Sequence, residues 1–275
     1  MPPQPIPPGW YGRHQRLAKR ILRPLFRRLW TIEVEGLDRV PVDGPAILCP
    51  NHLAAIDSFF VPAVLERPVV YVGKAEYLDS WKTRWLFPAL GMIPIDRRGG
   101  EHAQEALDAA REVLTEGGLF AIYPEGTRSR TGDLYRGKTG AARLAIETGA
   151  PIIPVGLIGT PEVQPVGSNR PRFFRRVRVR FGQPITVDRY RSRPGDRAVL
   201  RELTDEVMFE IQALTGQRYV DRYAGEPVPA LVEVPAVAEH WPGVAAPVPE
   251  LVDAHAATGP VLSSAAVLTA APLPA

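Results

Sequence analysis

Ile47-Leu-Cys-Pro-Asn-His-Leu-Ala-Ala-Ile-Asp-Ser-Phe-Phe60 contains a strand, its exit loop and the first turn of a helix. Ala46-Ile47-Leu48-Cys49 is a short apolar run, which reads as a buried strand. Pro50 and Asn51 break it. His52 follows, and five residues later comes Asp57, near the N-cap of a helix predicted over 58–66. On an ideal helix five residues turn by about 500°, roughly 140° off the same face. His52 and Asp57 therefore meet only if the chain turns between them, with His52 at or before the helix start. A histidine and a carboxylate then share the loop that leaves a core strand, the end of an α/β sheet where sites usually lie. Two readings stand at this point. In one, Asp57 accepts from one ring nitrogen and the other nitrogen takes a proton from a hydroxyl. In the other, Asp57 caps a helix and His52 is structural.

Outward from this stretch, strands and helices alternate. Thr31–Gly36 reads as an edge strand and Pro68–Gly73 as a core strand, followed by Lys74. Residues 75–90 have helical spacing with several aromatics, which fit either core or the lining of a groove. Gly91–Arg98 is a short strand ending in charge, and 101–116 a helix. Leu119–Tyr123 is a buried strand running into Pro124-Glu-Gly-Thr-Arg-Ser129. A helix over 138–148 stops at Gly149. Pro151–Ile158 and the half-exposed Val177–Phe181 are strands, and 196–214 is a last helix. The alternation predicts an α/β fold, a mixed central sheet flanked by helices.

The 275 residues suffice for one large domain or two small ones, and 45% apolar content supports a core. The single cysteine, Cys49, excludes an intrachain disulfide framework and fits a reducing compartment. It lies three residues from His52, so a Cys–His nucleophile competes with a buried structural thiol. Its place at the end of an apolar run favours the thiol. The net charge of +3 is uneven: residues 1–223 hold all 33 Lys and Arg but 25 of the 30 acids, a formal +8. Seven bases and no acid fall within 1–30. A basic front end implies a polyanionic partner, whether membrane, nucleic acid or phosphorylated ligand. Leu17, Ile21, Leu25 and Leu29 recur every four residues there, the mark of an amphipathic helix bent near Pro24. Its basic face and aromatic ends suit a membrane interface; a helix packed on the domain with a solvated basic face is the alternative. From 224 onward the chain is rich in Ala, Pro and Val, and a disordered tail is expected over 224–275. No run of about 18 apolar residues signals a transmembrane helix, and the N-terminus lacks a signal-peptide core. The other histidines, His14, His102, His240 and His255, show no metal-ligand spacing. No glycine pattern for nucleotide binding appears.

Four blocks share one character, a core strand that ends in unusual polar residues. They are Asn51-His52-x4-Asp57, Gly91-Met-Ile-Pro-Ile-Asp-Arg97, Tyr123-Pro-Glu-Gly-Thr-Arg-Ser129 and Ala150-Pro-Ile-Ile-Pro154. In this order and spacing the set resembles the glycerolipid acyltransferases, the family of bacterial 1-acylglycerol-3-phosphate acyltransferase, over about 35–220. The resemblance implies a glycerol-3-phosphate acyltransferase-like fold, with a catalytic domain at 31–223 behind a membrane-association segment at 1–30. It implies that His52 is the catalytic base and Asp57 its partner. It implies that Arg97, Glu125, Gly126, Thr127 and Arg128 bind the acceptor's glycerol phosphate, and that Pro154 shapes the site or helps to bind the acyl donor. Tyr123 stands where the family often has Phe; both are bulky aromatics. Lys74, after its core strand, is a further candidate for phosphate or donor contact. No cofactor is expected, because acyl-CoA or acyl-carrier protein serves as co-substrate. The implied partners are lysophosphatidic acid, the acyl donor and an anionic membrane surface, not nucleic acid. The implied place is the cytoplasmic face of the cell membrane, peripherally bound.

The chemistry agrees independently. A thioester is already activated, so no covalent nucleophile is required. A base for the acceptor alcohol is, and such a base is worth roughly 10²–10⁴ in rate. Donors for the tetrahedral oxyanion are also needed, from backbone N–H groups near Gly126 or in the His52 loop. A phosphomonoester calls for cations, and Arg gives bidentate contacts; surface ion pairing is the plain alternative for Arg97 and Arg128. A carboxylate repels phosphate, so Glu125 is expected to orient an arginine or accept from a glycerol hydroxyl. Rival functions are transfer to another lysophospholipid or glycolipid, hydrolysis of the thioester by water, and a non-enzymatic basic protein that binds membranes or nucleic acid through 10–30.

Overall fold

The computed structural model describes residues 20–21, 23–74, 91–95, 102–168, 170–193 and 195–226. The expected segment at 1–19, the helix over 75–90, Arg97 and the tail beyond 226 lie outside them. In chain order the elements are β1 (Thr31–Glu35), β2 (Ala46–Pro50), α1 (Asp57–Val64), β3 (Val69–Lys74), β4 (Met92–Ile95), α2 (His102–Thr115) and β5 (Leu119–Ala121). Then come β6 (Leu134–Tyr135), α3 (Gly140–Thr148), β7 (Ile152–Ile158), α4 (Thr160–Val163), β8 (Arg176–Phe181), α5 (Arg197–Thr215) and β9 (Tyr219–Val220). Residues 23–29 are also helical.

Seven strands form one sheet in the order β1-β8-β7-β2-β5-β3-β4. Neighbours run parallel except β7 and β8, so β1 and β8 point against the other five. β6 and β9 make a separate parallel pair. The apolar run of β2 explains its central place. Ala46 and Leu48 belong to one core with Phe60, Trp30 and Phe181, while Ile47 and Cys49 belong to another with Phe120, Leu144 and Leu203. A strand covered on both faces needs no polar alternation. α1 and the 23–29 helix supply the first core; α2, α3 and α5 supply the second. At the edge the sheet does alternate: Val177, Val179 and Phe181 turn inward, and Arg176 and Arg180 reach Glu33 and Glu35 of β1 at 3.2 and 3.0 Å.

Local signals end the helices. Asp196 precedes α5 and accepts the Ala198 N–H at 2.8 Å, while Gly149 and Gly216 close α3 and α5 with φ of 74° and 72°. Two details differ from the sequence reading. β2 runs through Pro50 and breaks only after it, with Pro50 in register with Val155 of β7. Asp57 is the first residue of α1 rather than a cap reaching forward, and its carboxylate turns back toward the preceding loop.

Candidate active site

β2 and β5 are parallel neighbours, with Leu48 beside Ala121. Their exit loops therefore leave the same edge of the sheet, and they are stitched together around one residue. The His52 N–H donates to Glu125 Oε1 at 3.0 Å, and the His52 carbonyl accepts the Ser129 N–H at 2.8 Å. The 123–129 block thus fixes the backbone of His52 from both sides.

The side chain is fixed as well. Residues 53–56 turn, which brings His52 Nδ1 to 3.0 Å from Asp57 Oδ2. The same oxygen accepts the N–H groups of Leu53 at 2.7 Å and Ala54 at 2.8 Å. Asp57 is fully buried, and its Oδ1 has no hydrogen-bond partner among the described residues. The imidazole lies flat on the Tyr123 ring, centroids 3.8 Å apart at 15°. Tyr123 is in turn paired through its hydroxyl with Ser58 Oγ at 3.1 Å. Burial, and then the Asp57 charge, hold the Tyr123 phenol well above its ordinary range, so it stays neutral. The His52 side chain remains 15% exposed. Nδ1 faces the carboxylate, which favours the tautomer with its proton on Nδ1 and the lone pair on Nε2.

Glu125 has a different place from the one expected. Its two oxygens accept backbone N–H groups, from His52 and, at 3.0 Å, from Tyr135. It is buried, and burial outweighs those two bonds, pushing its carboxyl up to about 7. Asn51, just before the histidine, is a further buried tie. Its amide exchanges two bonds with the Leu157 backbone, 3.0 Å to the carbonyl and 2.7 Å from the N–H, and donates to Gln217 Oε1 at 2.8 Å.

Gly126 has φ of 73° and donates its N–H to the Tyr123 carbonyl, closing a tight turn. Thr127 and Arg128 follow it exposed. Across this turn lies Lys138, which the sequence reading took only as a helix start. A Cβ at Gly126 would stand 3.0 Å from Lys138 Cδ and Cε and 3.2 Å from Nζ. The Lys138 N–H donates to the Pro124 carbonyl at 2.7 Å, which holds the two segments together. Its ammonium has no ion pair among the described residues. Pro154 is buried inside β7 beside Cys49, and its carbonyl accepts the Gly182 N–H at 2.8 Å. Lys74 ends β3, on the same side of the sheet as the exits of β2 and β5. Cys49 is fully buried, and burial drives its thiol far above the ordinary range, so a Cys–His nucleophile finds no support.

The candidate oxyanion donors also sort themselves. The N–H groups of Leu53 and Ala54 are committed to Asp57, and that of Gly126 to Tyr123. The amides of Thr127 and Arg128 have no hydrogen bond among the described residues.

Residues 31–158 match the acyltransferase family model. The chloroplastic 1-acyl-sn-glycerol-3-phosphate acyltransferase LPAT1 of Arabidopsis thaliana is 30% identical over 173 residues, covering 62% of this chain and 48% of that protein. The 1-acyl-sn-glycerol-3-phosphate acyltransferase of Borreliella burgdorferi is 33% identical over 129 residues, covering 47% and 52%. The chain spans about half the length of these curated relatives. The crystal structure of the 1-acyl-sn-glycerophosphate (LPA) acyltransferase PlsC from Thermotoga maritima shares the fold, with a TM-score of 0.55 at 22% identity over 74% of this chain and 77% of that one. The histidine loop and the Tyr123–Ser129 block both fall inside the span that the acyltransferase family model matches.

Proposed function

We propose that the chain transfers a fatty acyl group from acyl-CoA or acyl-carrier protein to the 2-hydroxyl of 1-acyl-sn-glycerol 3-phosphate, forming phosphatidate. The observation that carries this reading is the fixed imidazole: Asp57 on Nδ1, Tyr123 under the ring, Glu125 and Ser129 on the backbone. Nε2 takes the proton of the acceptor hydroxyl as that oxygen attacks the thioester carbon. The buried Asp57 carboxylate stabilises the imidazolium formed. Collapse of the tetrahedral intermediate breaks the C–S bond, and the imidazolium returns its proton to the leaving thiolate. The amides of Thr127 and Arg128 are the donors proposed for the oxyanion.

Arg128 and Lys138 flank the Gly126 turn with exposed cationic heads suited to the acceptor's phosphate. Arg97 and Lys74 join them in this proposal from their places in the sequence. Thr127 contacts the glycerol phosphate, Glu125 holds the histidine loop, and Pro154 shapes the site from within β7. Residues 31–223 form the catalytic domain, and 1–30 attach it to an anionic membrane at the cytoplasmic face. No helix among the described residues is long and apolar enough to cross a membrane, which is compatible with peripheral attachment.

The test is thiol release from palmitoyl-CoA by purified protein, with and without 1-acylglycerol 3-phosphate, beside His52→Ala. Release that requires the acceptor and falls by roughly 10²–10⁴ in the variant is expected. Release without acceptor would make the protein a thioesterase. Near-wild-type turnover in folded His52→Ala would remove the base from the mechanism.

A further inference from the structure

Phe174 has φ of 58°, and among the described residues it is the one non-glycine residue in the left-handed region. That conformation is unfavourable for a bulky side chain. The ring gains no burial in exchange: Phe174 is 79% exposed and its neighbour Phe173 49%. The backbone holds the strain. The Phe174 N–H donates to the Leu29 carbonyl at 2.7 Å, and the Thr31 N–H to the Arg175 carbonyl at 3.1 Å. The Trp30 indole donates to the Arg172 carbonyl at 2.8 Å, and its ring lies 5.7 Å from Phe173. Trp30 is itself buried against Phe26 and Phe60. The segment 172–175 is thus fastened to the end of the 23–29 helix, and it presents two phenylalanines outward from a rigid base. Strain kept at an exposed aromatic tip is a reason to look for function there.

The charge around the tip says what it meets. Arg170, Arg172 and Arg175 are exposed and have no ion pair among the described residues, and the same holds for Arg27 and Arg28 on the helix that the segment docks against. That helical stretch also exposes Ile21 and Leu25. Aliphatic side chains partition into acyl chains but make poor platforms for nucleic-acid bases, which stack on aromatics. The excursion is also tied to the catalytic loop. Gln164 Oε1 accepts the Ile56 N–H at 2.9 Å, just ahead of Asp57, and the Arg172 N–H donates to the Val163 carbonyl at 2.7 Å.

We propose that residues 170–175 are a membrane-insertion tip. Phe173 and Phe174 enter the acyl-chain boundary of an anionic bilayer, while Arg170, Arg172 and Arg175, with Arg27 and Arg28, meet its headgroup phosphates. This rests on the reading that the enzyme works at an anionic membrane, and it adds an anchor in the catalytic domain, far in sequence from the N-terminal segment.

Full-length protein is sedimented with vesicles of phosphatidylcholine containing phosphatidylglycerol, and with phosphatidylcholine alone. Phe174→Gly is the informative variant, because glycine accepts the positive φ and removes the ring. Its Tm is expected to equal or exceed that of the wild type, while its partition onto anionic vesicles falls at least about fivefold. Arg170→Glu/Arg175→Glu is expected to lose about fivefold for each arginine removed. Acyl transfer to a short-chain acceptor dispersed as monomers stays unchanged in Phe174→Gly, and transfer to acceptor embedded in vesicles falls. Wild-type partition by Phe174→Gly overturns the proposal, as does equal wild-type binding to neutral vesicles. Duplex DNA binding that weakens in the same variant while vesicle binding does not would also overturn it. A wild-type protein that binds vesicles but transfers no acyl group to any acceptor would sink the enzymatic reading and leave the tip standing.

Discussion

One oxygen of Asp57 accepts three hydrogen bonds, and that decides which substitutions are informative. Asp57→Asn keeps an oxygen for His52 Nδ1, Leu53 N–H and Ala54 N–H but removes the charge proposed to stabilise the imidazolium. It is expected to fold and to lose most of its kcat. Asp57→Ala leaves two loop N–H groups without their acceptor, at about 1–3 kcal/mol for each buried donor, so it loses stability as well. Thermal unfolding beside steady-state kinetics separates the two; equal kcat in Asp57→Asn and wild type would assign Asp57 to loop structure alone. Glu125 makes a second residue-scale prediction. Its carboxyl is raised from 4.5 to about 7, mainly by burial. Between those pH values the folded protein keeps a proton that the unfolded chain has released, so stability falls as pH rises across the window, by on the order of 3 kcal/mol. Below the window the group is neutral in both states. In Glu125→Gln this part of the slope should vanish, and chemical denaturation at pH 4.5 and pH 7.5 reads it directly; an identical slope in the variant would place the proton elsewhere. The meeting of His52 and Asp57 was legible because a proline breaks the chain beside an apolar strand. The destination of Glu125 was not, since a carboxylate that reads ligands and one that holds backbone differ only in burial. Lys138 was hidden for a similar reason: its approach to Gly126 comes from a chain reversal that no local pattern records.

At the scale of elements, the site depends on β2 and β7 staying in register where both leave the sheet. Asn51 does this with one side chain, satisfying both backbone groups of Leu157. Asn51→Ala leaves a buried N–H and a buried carbonyl without partners, and about 2–4 kcal/mol of stability should go with them. Gln217→Ala removes the third partner of Asn51 and an exposed bond to the Gly132 carbonyl, and should cost less, about 1 kcal/mol. Urea midpoints of the two variants check this, and similar losses in both would mean that Asn51 acts through Gln217 rather than through the strand. The alternation of strands and helices was plain from the sequence because each has its own apolar period. Strand order was not. Nothing local says that β8 turns antiparallel beside β7, or that β1 joins it at the edge, because pairing is decided by contact with other strands, and β1 and β8 lie far apart in the sequence. Pro50 shows the same limit in miniature. It reads as a strand breaker, yet the strand passes through it and stops one residue later.

At the scale of the whole molecule the charge distribution matters more than any pair. The chain carries a formal +3 overall, yet residues 1–223 alone carry +8, because 224–275 contain five acids and no Lys or Arg. The basic bias was legible in composition, but the tip at 170–175 was not, since it exists only where that segment meets the end of the 23–29 helix. If the basic surface draws the protein to anionic lipid, the acids of the C-terminal segment oppose it. Neutralising Glu233, Glu239, Glu250 and Asp253 as Gln, Gln, Gln and Asn raises the formal charge to +7 in the full-length chain. Partition onto phosphatidylglycerol vesicles should then rise several-fold at low salt, since each cationic charge near such a surface is worth about 1 kcal/mol at most and distance reduces it. The gain should shrink as the screening length falls from about 10 Å at 0.1 M salt to about 3 Å at 1 M. Neutral vesicles should show no change. An unchanged or weaker partition at low salt would mean that apolar contact alone sets the attachment, and the arginines around the tip would lose their assigned role.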